Sequence, residues 1–270
     1  MSLIDSEVIR QYNDDGAAVV RGCISDHWLE ILNDAIEHDI RDPGPFVHAY
    51  QAGSGGGRFH GNLRTWETEA RFQDFCFNSP LPEMAAEILA SAKINLLYDQ
   101  LFVKEPGTPN RTRWHNDQPY WAMRGWQVLS FWVALDPVNK RSGALEFIPG
   151  SHRWGRWFQP ETFGKGTGIE EYERNPDYEP IPDIESARER YGVISWDLSP
   201  GDVYVFHALT VHGAGGNCSG DVRRRGYAVR YTGDDVVYDA RPGTNKGLRS
   251  GSHADGDPLD SPRYPVVWTR

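Results

Sequence analysis

Three residues stand out for the chemistry they could share. His115 and Asp117 lie in Trp114-His115-Asn116-Asp117, and much later Val203-Tyr204-Val205-Phe206-His207-Ala208-Leu209-Thr210-Val211-His212 contains two further histidines. In an extended segment residues i and i+2 point to one side, so His115 and Asp117 can reach one metal ion from one short stretch. Two neutral imidazoles and one carboxylate suit a mononuclear iron(II) that must leave one face open for a bidentate keto acid and O2.

A His-x-Asp pair alone says little, because nine histidines in a chain this long supply about one such pair by chance. A second pair, His253-Ala254-Asp255, sits in a Gly-, Ser-, Asp- and Pro-rich tail with no histidine after it, and it reads as surface. For the third ligand, spacing leaves both His207 and His212 open. A lone histidine is more often a buried, hydrogen-bonded residue than a ligand.

Positioning these groups needs a rigid frame. Ser6 to Tyr12 reads as a short capped helix ending near Gly16, Ala17 to Val20 as a strand, and Trp28 to Ile36 as a helix capped by Ser25 and stopped by Pro43-Gly44-Pro45. Pro82 to Ala92 patterns as a helix and Ile94 to Lys104 as a strand. From there strands separated by turns follow: Val128–Leu135, Ala144–Ile148, Asp202–Phe206 and Tyr227–Tyr231, the signature of a double sheet or barrel. Gln51 to Gly61, with five glycines, reads as a mobile loop. The aromatic-rich stretch 153–196, containing Trp154, Trp157, Phe158, Phe163 and Tyr172, is too long for a hairpin loop and is a candidate lid.

The 270 residues suit one domain, with 1–92 as helical support, 93–235 as the catalytic core and 236–270 as a loosely held tail. A net charge of -10 argues against nucleic acid as a partner. Arg223-Arg224-Arg225, or a convergence of Lys104, Arg113, Arg124 and Arg241, could still take a small anion. Three scattered cysteines (Cys23, Cys76, Cys218), the lack of an apolar run of about 20 residues and a first segment unlike a signal peptide point to the cytoplasm, without a membrane partner. Nothing in the pattern indicates an oligomeric state.

Three blocks in order, Trp114-His115-Asn116-Asp117-Gln118-Pro119-Tyr120-Trp121, Gly143 to His152 and His212-Gly213-Ala214-Gly215-Gly216-Asn217, resemble the phytanoyl-CoA dioxygenase family of Fe(II)- and 2-oxoglutarate-dependent oxygenases. The resemblance covers about 98–235; the first 90 residues match loosely. It implies a mainly β fold with flanking helices, a double-stranded β-helix (jelly roll, cupin-like). It also implies His212 as the distal iron ligand, with His207 a strand residue nearby.

The family pattern places a 2-oxoglutarate-binding arginine roughly a dozen residues after that histidine. Arg224 matches best, Arg223 fits if the loop carries no insertion, and Arg225 faces the other way. A bidentate guanidinium suits a carboxylate as a lysine cannot. By the same resemblance Trp132 lies beside the co-substrate. Gln100, Phe102 and Lys104, which alternate on one strand, and Asn116 between the first two ligands are candidates to touch co-substrate or substrate. The implied reaction consumes 2-oxoglutarate and O2, releases succinate and CO2, and hydroxylates a small-molecule metabolite. Related halogenases carry a small residue where Asp117 stands, so the carboxylate favours hydroxylation. The alternatives are a cupin-type hydrolase or isomerase on zinc or manganese, and a ligand binder without turnover.

Overall fold

The computed structural model describes residues 2–51, 57–161 and 172–270. Part of the expected loop between Gln51 and Gly61, and the part of the 153–196 stretch that includes Phe163, lie outside the described residues.

Local signals set the first elements. Asp5 caps α1 (Ser6–Asp15) by accepting from the Glu7 N–H at 2.9 Å, and Gly16 ends it with φ 77°. β1 (Ala17–Val20) follows directly. α2 (Asp26–Arg41) buries Leu32, Ala35 and Ile36 at helical spacing. A hairpin of β2 (Val47–Gln51) and β3 (Arg58–Leu63) comes next. α3 (Ala70–Asn78) is absent from the sequence expectation, since so short a helix carries little periodic signal. α4 (Leu81–Leu89) stops before the expected Ala92, because Ala90 turns left-handed at φ 49°.

The remaining strands are β4 (Lys93–Lys104), β5 (Thr112–His115), β6 (Met123–Arg124), β7 (Val128–Ala134), β8 (Leu145–Phe147), β9 (Val203–His207), β10 (His212–Ala214), β11 (Arg224–Thr232), β12 (Val237–Tyr238) and β13 (Val266–Thr269). Among the described residues, one large sheet runs β1-β9-β7-β11-β4-β3-β2, with β13 added on β4. A small sheet runs β5-β10-β8, and β12 pairs with β6. Large and small sheets face each other in a double-stranded β-helix.

Strand alternation separates the two faces of the large sheet. Leu129, Phe131 and Val133 of β7, with Tyr227, Val229 and Tyr231 of β11, turn outward into one apolar core with Phe72 and Phe75 of α3. Their neighbours Trp132, Ala134 and Ala228 turn inward against Leu145, Phe147 and Ala214 of the small sheet. The helices therefore brace one face and leave the other to the site.

Two expectations need correction. Residues 1–92 are more than helical support, because β1 and β3 are strands of the large sheet, on β9 and β4. The tail is not loosely held: Tyr238, Leu248, Leu259 and Tyr264 are buried, and β13 pairs with β4. Its sparse apolar residues find partners in Leu97, Tyr98 and Trp121. The His253-Ala254-Asp255 pair lies at the surface as expected, with Ala254 and Asp255 exposed, while the half-buried His253 ring lies against Tyr238 and Tyr264, with Nδ1 2.7 Å from Ser250 Oγ.

Phe72 is fully buried and stacks on Tyr227 with centroids 4.8 Å apart. Phe72→Ala should lower unfolding free energy by about 3–5 kcal/mol, seen as a lower urea midpoint at unchanged m. A loss below about 1 kcal/mol would be incompatible with α3 packing on this sheet.

Candidate metal centre and its cavity

β10 runs antiparallel to β5, and their register sets His212 opposite His115. The two imidazole centroids are 4.3 Å apart. His115 Nε2 lies 3.2 Å from Asp117 Oδ1 and His212 Nε2 lies 3.8 Å from the same oxygen. All three potential ligand atoms lie within 4.8 Å of one another.

Asp117 reaches this point differently from the extended-strand expectation. β5 ends at His115, and Asp117 adopts helical φ/ψ (−76°, −41°) at the start of a 3-10 turn. The turn is fixed because the N–H groups of Asp117 and Gln118 both donate to Ala208 O, at 2.9 and 3.0 Å. Asp117 Oδ2 accepts from Ser130 Oγ at 3.3 Å, leaving Oδ1 toward the rings.

Hydrogen bonds also select the histidine tautomers. His115 Nδ1 lies 2.7 Å from Arg113 O and His212 Nδ1 lies 3.0 Å from Thr210 O. A carbonyl only accepts, so each Nδ1 is protonated and each Nε2 presents a lone pair toward Asp117. Burial and the neighbouring His115 lower His212 to about 4, favouring neutral imidazole at ordinary pH. Burial raises the Asp117 carboxyl, but His212, His115 and Arg230 outweigh it and hold the group below the usual carboxylate range. Two lone pairs and an anionic oxygen converging in a buried pocket fit a divalent cation of the iron or zinc type.

His207 has a different environment. Its Nε2 lies 2.9 Å from Trp126 O and its Nδ1 accepts from the Leu209 N–H at 3.0 Å, so both ring nitrogens are engaged away from Asp117.

A cavity of about 440 Å³ opens from the triad between the two sheets. Arg224, Lys104, Gln100 and Trp132 all line it. Arg224 is buried over the Trp132 ring, 5.3 Å from its centroid, and among the described residues it has no acidic or hydrogen-bonding partner. Burial lowers its pKa to about 10, against the pull of Tyr204 and Asp136, so it stays cationic at neutral pH. Trp132 can lie there because Gly226 faces it across the strands; a Cβ at Gly226 would overlap the indole. Lys104, paired in register with Arg224, donates to Gly215 O at 2.6 Å. Burial, then Arg224, push its ammonium pKa well below the ordinary value.

Arg223 and Asn116 are not brought to the cavity. Arg223 is one residue out of phase with Arg224 and pairs with Glu37 at 2.6 Å and Glu105 at 2.9 Å. Arg225 pairs with Asp136. Asn116, between two inward residues, turns the other way, donates to Arg156 O at 3.1 Å and accepts from the Phe158 N–H. Arg113, Arg124 and Arg241 do not converge with Lys104; Arg113 pairs with Glu161, and Arg124 and Arg241 share Asp239.

Several wall residues were outside the sequence reading. Phe46, His48 and Phe59 of the supposed support region line the cavity, as do Tyr98, Trp121 and Arg230. Arg230 could have been found by alternation, since it lies six residues from Arg224 on one strand. From the 153–196 stretch, Tyr172 lines the wall, edge-on to Tyr120 at 5.1 Å.

The sequence profile of the phytanoyl-CoA dioxygenase (PhyH) family matches residues 12–226. The chain belongs to that family. Membership makes it a non-haem iron- and 2-oxoglutarate-dependent oxygenase. A probable phytanoyl-CoA dioxygenase of Caenorhabditis elegans is 22% identical over 87% of this chain and 77% of its own length. In fold, the PhyH-family chain is similar to the non-haem α-ketoglutarate-dependent carbocyclase SnoK from nogalamycin biosynthesis, with TM-score 0.76, 22% identity and coverage of 98% and 97% of the two chains. It is also similar to the epimerase SnoN in complex with Fe3+, α-ketoglutarate and nogalamycin RO, with TM-score 0.71, 21% identity and coverage of 97% and 98%.

His207 also supplies a test of how tightly the 207–212 turn is packed. Burial and the nearby His152 lower its pKa to about 3. In the unfolded chain the ordinary value of about 6.5 applies, so between those values the unfolded state binds the extra proton and stability falls as pH falls. Urea midpoints should therefore decline from about pH 6.5 toward 4. His207→Asn should reduce that slope while lowering stability at neutral pH; an unchanged slope would rule out this burial of the ring.

Proposed function

We propose that this PhyH-family protein hydroxylates a small molecule, with His115, Asp117 and His212 as the iron(II) ligands and Arg224 as the clamp for the distal carboxylate of 2-oxoglutarate. One observation carries the reading: a buried arginine without an acidic partner among the described residues shares a cavity with two tautomer-fixed imidazoles and a carboxylate. A hydrolase on the same ligands would have no use for that cation. When bound, iron and 2-oxoglutarate supply the oxidising chemistry with O2, releasing succinate and CO2.

The remaining tasks belong to the chain. His115 and His212 offer Nε2 while their Nδ1–H groups stay on backbone carbonyls, which keeps both rings from rotating. Asp117 supplies the only carboxylate among the three ligands, and its retention leaves no halide position of the kind a halogenase would need. Arg224, set on Trp132 with Lys104 alongside, fixes one end of the co-substrate and thereby its angle at the metal. Tyr120 and Tyr172 wall the cavity and exclude water from the reacting carbon. Phe46, Phe59 and Leu248 present apolar surface to a substrate body.

Anaerobic addition of iron(II) and 2-oxoglutarate to the folded protein should give a weak visible charge-transfer band, and its absence would refute the reading. His212→Ala should remove the band and 2-oxoglutarate turnover, whereas His207→Ala should keep both; the reverse pattern would transfer the ligand role to His207. Arg224→Lys should weaken 2-oxoglutarate binding by about 2 kcal/mol, roughly thirty-fold, since a lysine cannot make the bidentate contact.

A further inference from the structure

Arg230 is a second buried cation in the same cavity, and beyond its pull on the Asp117 carboxyl the proposed reaction gives it no role. Its guanidinium carbon lies 4.4 Å from the Tyr98 ring centroid and 5.8 Å from that of Trp121. One Nη donates to Gln100 Oε1 at 2.9 Å, while Nε and the other Nη are buried without an acceptor among the described residues. Among the described residues no carboxylate forms an ion pair with Arg230. Arg223 and Arg225, on either side of Arg224, do have such partners.

Charge then asks for one more anion, on the reading of the site proposed above. A divalent metal, the Asp117 carboxylate, a dianionic keto acid and Arg224 together carry no net charge. Lys104 is not forced to add any, because burial disfavours its ammonium form. Arg230 is left as an uncompensated cation in a site that loses its water when filled, a costly arrangement unless the incoming molecule brings a negative group. Phe46, Phe59, Tyr98, Trp121 and Leu248 make much of the rest of the wall aromatic and apolar; the charged residues that also line it are Arg111, Glu173 and Lys246, the last two paired at 3.9 Å.

We propose that Arg230, with Gln100, is the substrate-recognition subsite of this enzyme, and that the substrate is a molecule with an apolar body and a carboxylate or similar oxyanion. The keto acid does not occupy this subsite, since its free end is met by Arg224 and its other end by the metal. Phe46 and Phe59 from the β2–β3 hairpin, with Leu248 of the tail, enclose the apolar part.

Acetate and its neutral isostere acetamide probe the subsite directly. Protein loaded with manganese(II) and saturated with 2-oxoglutarate is titrated with each, following paramagnetic relaxation of the methyl protons. Acetate should give a saturable enhancement and acetamide none. Arg230→Gln should weaken acetate by about ten-fold or more, while calorimetry should give a 2-oxoglutarate affinity within about three-fold of wild type. Should that variant not fold, Arg230→Lys, which keeps the charge, should hold acetate within about five-fold of wild type, and a larger loss counts against the proposal.

The proposal falls if wild-type protein has no saturable acetate response, if acetamide responds equally, or if Arg230→Gln leaves acetate unaffected. It falls equally if that variant costs more than about three-fold in 2-oxoglutarate affinity, because Arg230 would then serve the co-substrate. A wild-type protein with no manganese-dependent 2-oxoglutarate binding refutes the metal-site reading itself, which is a separate result from binding the keto acid without an acetate response.

Discussion

The site depends on one cross-strand pairing, His212 of β10 opposite His115 of β5. A slip of one residue would turn an imidazole to the other face of the small sheet, so the register must be held more firmly than two three- to four-residue strands can manage alone. Neighbouring segments supply the hold. Ala208 O takes the N–H groups of Asp117 and Gln118, the Val211 N–H donates to Ser151 Oγ at 2.8 Å, and Thr210 Oγ1 donates to Gly16 O at 2.7 Å. The backbone from 207 to 212 is thus tied to β1's entry, to the turn after β8 and to the Asp117 turn. His207 completes this by bridging Trp126 O and the Leu209 N–H, a positioning role that explains a buried histidine so near His115, Asp117 and His212.

A second constraint is electrostatic. The chain is acidic overall, and its outward arginines have acids to match: Arg223 with Glu37, Arg225 with Asp136, Arg113 with Glu161. The inward arginines on β11 have none among the described residues. Since the strand alternates, each inward cation on β11 is set by the same period that buries Tyr227, Val229 and Tyr231 on the opposite face. Leaving guanidinium groups unpaired in a cavity lowers the stability of the empty protein, and that cost is recovered only when anions enter. The cavity is therefore built to be filled by charge of the opposite sign.

Much of the frame was legible because it rests on local rules. The 2.0 residue period found β7, β9 and β11 within a few residues, Gly16 marked the end of the first helix and Ser25 the start of the second, although the Ser25 side chain makes no capping bond. Sequence spacing could not choose between His207 and His212, because the choice is made by backbone carbonyls at Arg113, Thr210 and Trp126 that leave no mark on residue types. Asn116 and Arg223 illustrate the opposite failure. Each neighbours an inward residue in sequence, and that very adjacency turns it away. Tail packing was missed because Tyr238, Leu248, Leu259 and Tyr264 are too widely separated to form a periodic pattern, and become a core only against Tyr98 and Trp121. Arg230 was legible in principle and overlooked in practice: the alternation that selects Arg224 selects it too.

The proposed metal ligands and parts of the cavity wall come from different kinds of structure, and this bears on how one frame supports several outcomes. Neighbours with TM-scores of 0.76 and 0.71 carry the descriptions carbocyclase and epimerase, so the shared fold does not decide what becomes of the oxidised carbon. In this chain the ligands stand on the small sheet and the turn that follows it. Part of the wall comes from the β2–β3 hairpin, Tyr172 of the long insertion and the tail around Thr244 to Leu248. Those segments lie outside the strands that fix the triad, so their residues can change without disturbing its register. Arg230 is placed differently. It stands on β11 itself, six residues from Arg224, beside Gln100 of β4, so the proposed anion subsite and the proposed co-substrate clamp share one rigid strand. A substrate held from that strand is fixed relative to the metal by the sheet rather than by loops, the kind of placement that selecting one C–H bond for oxidation demands.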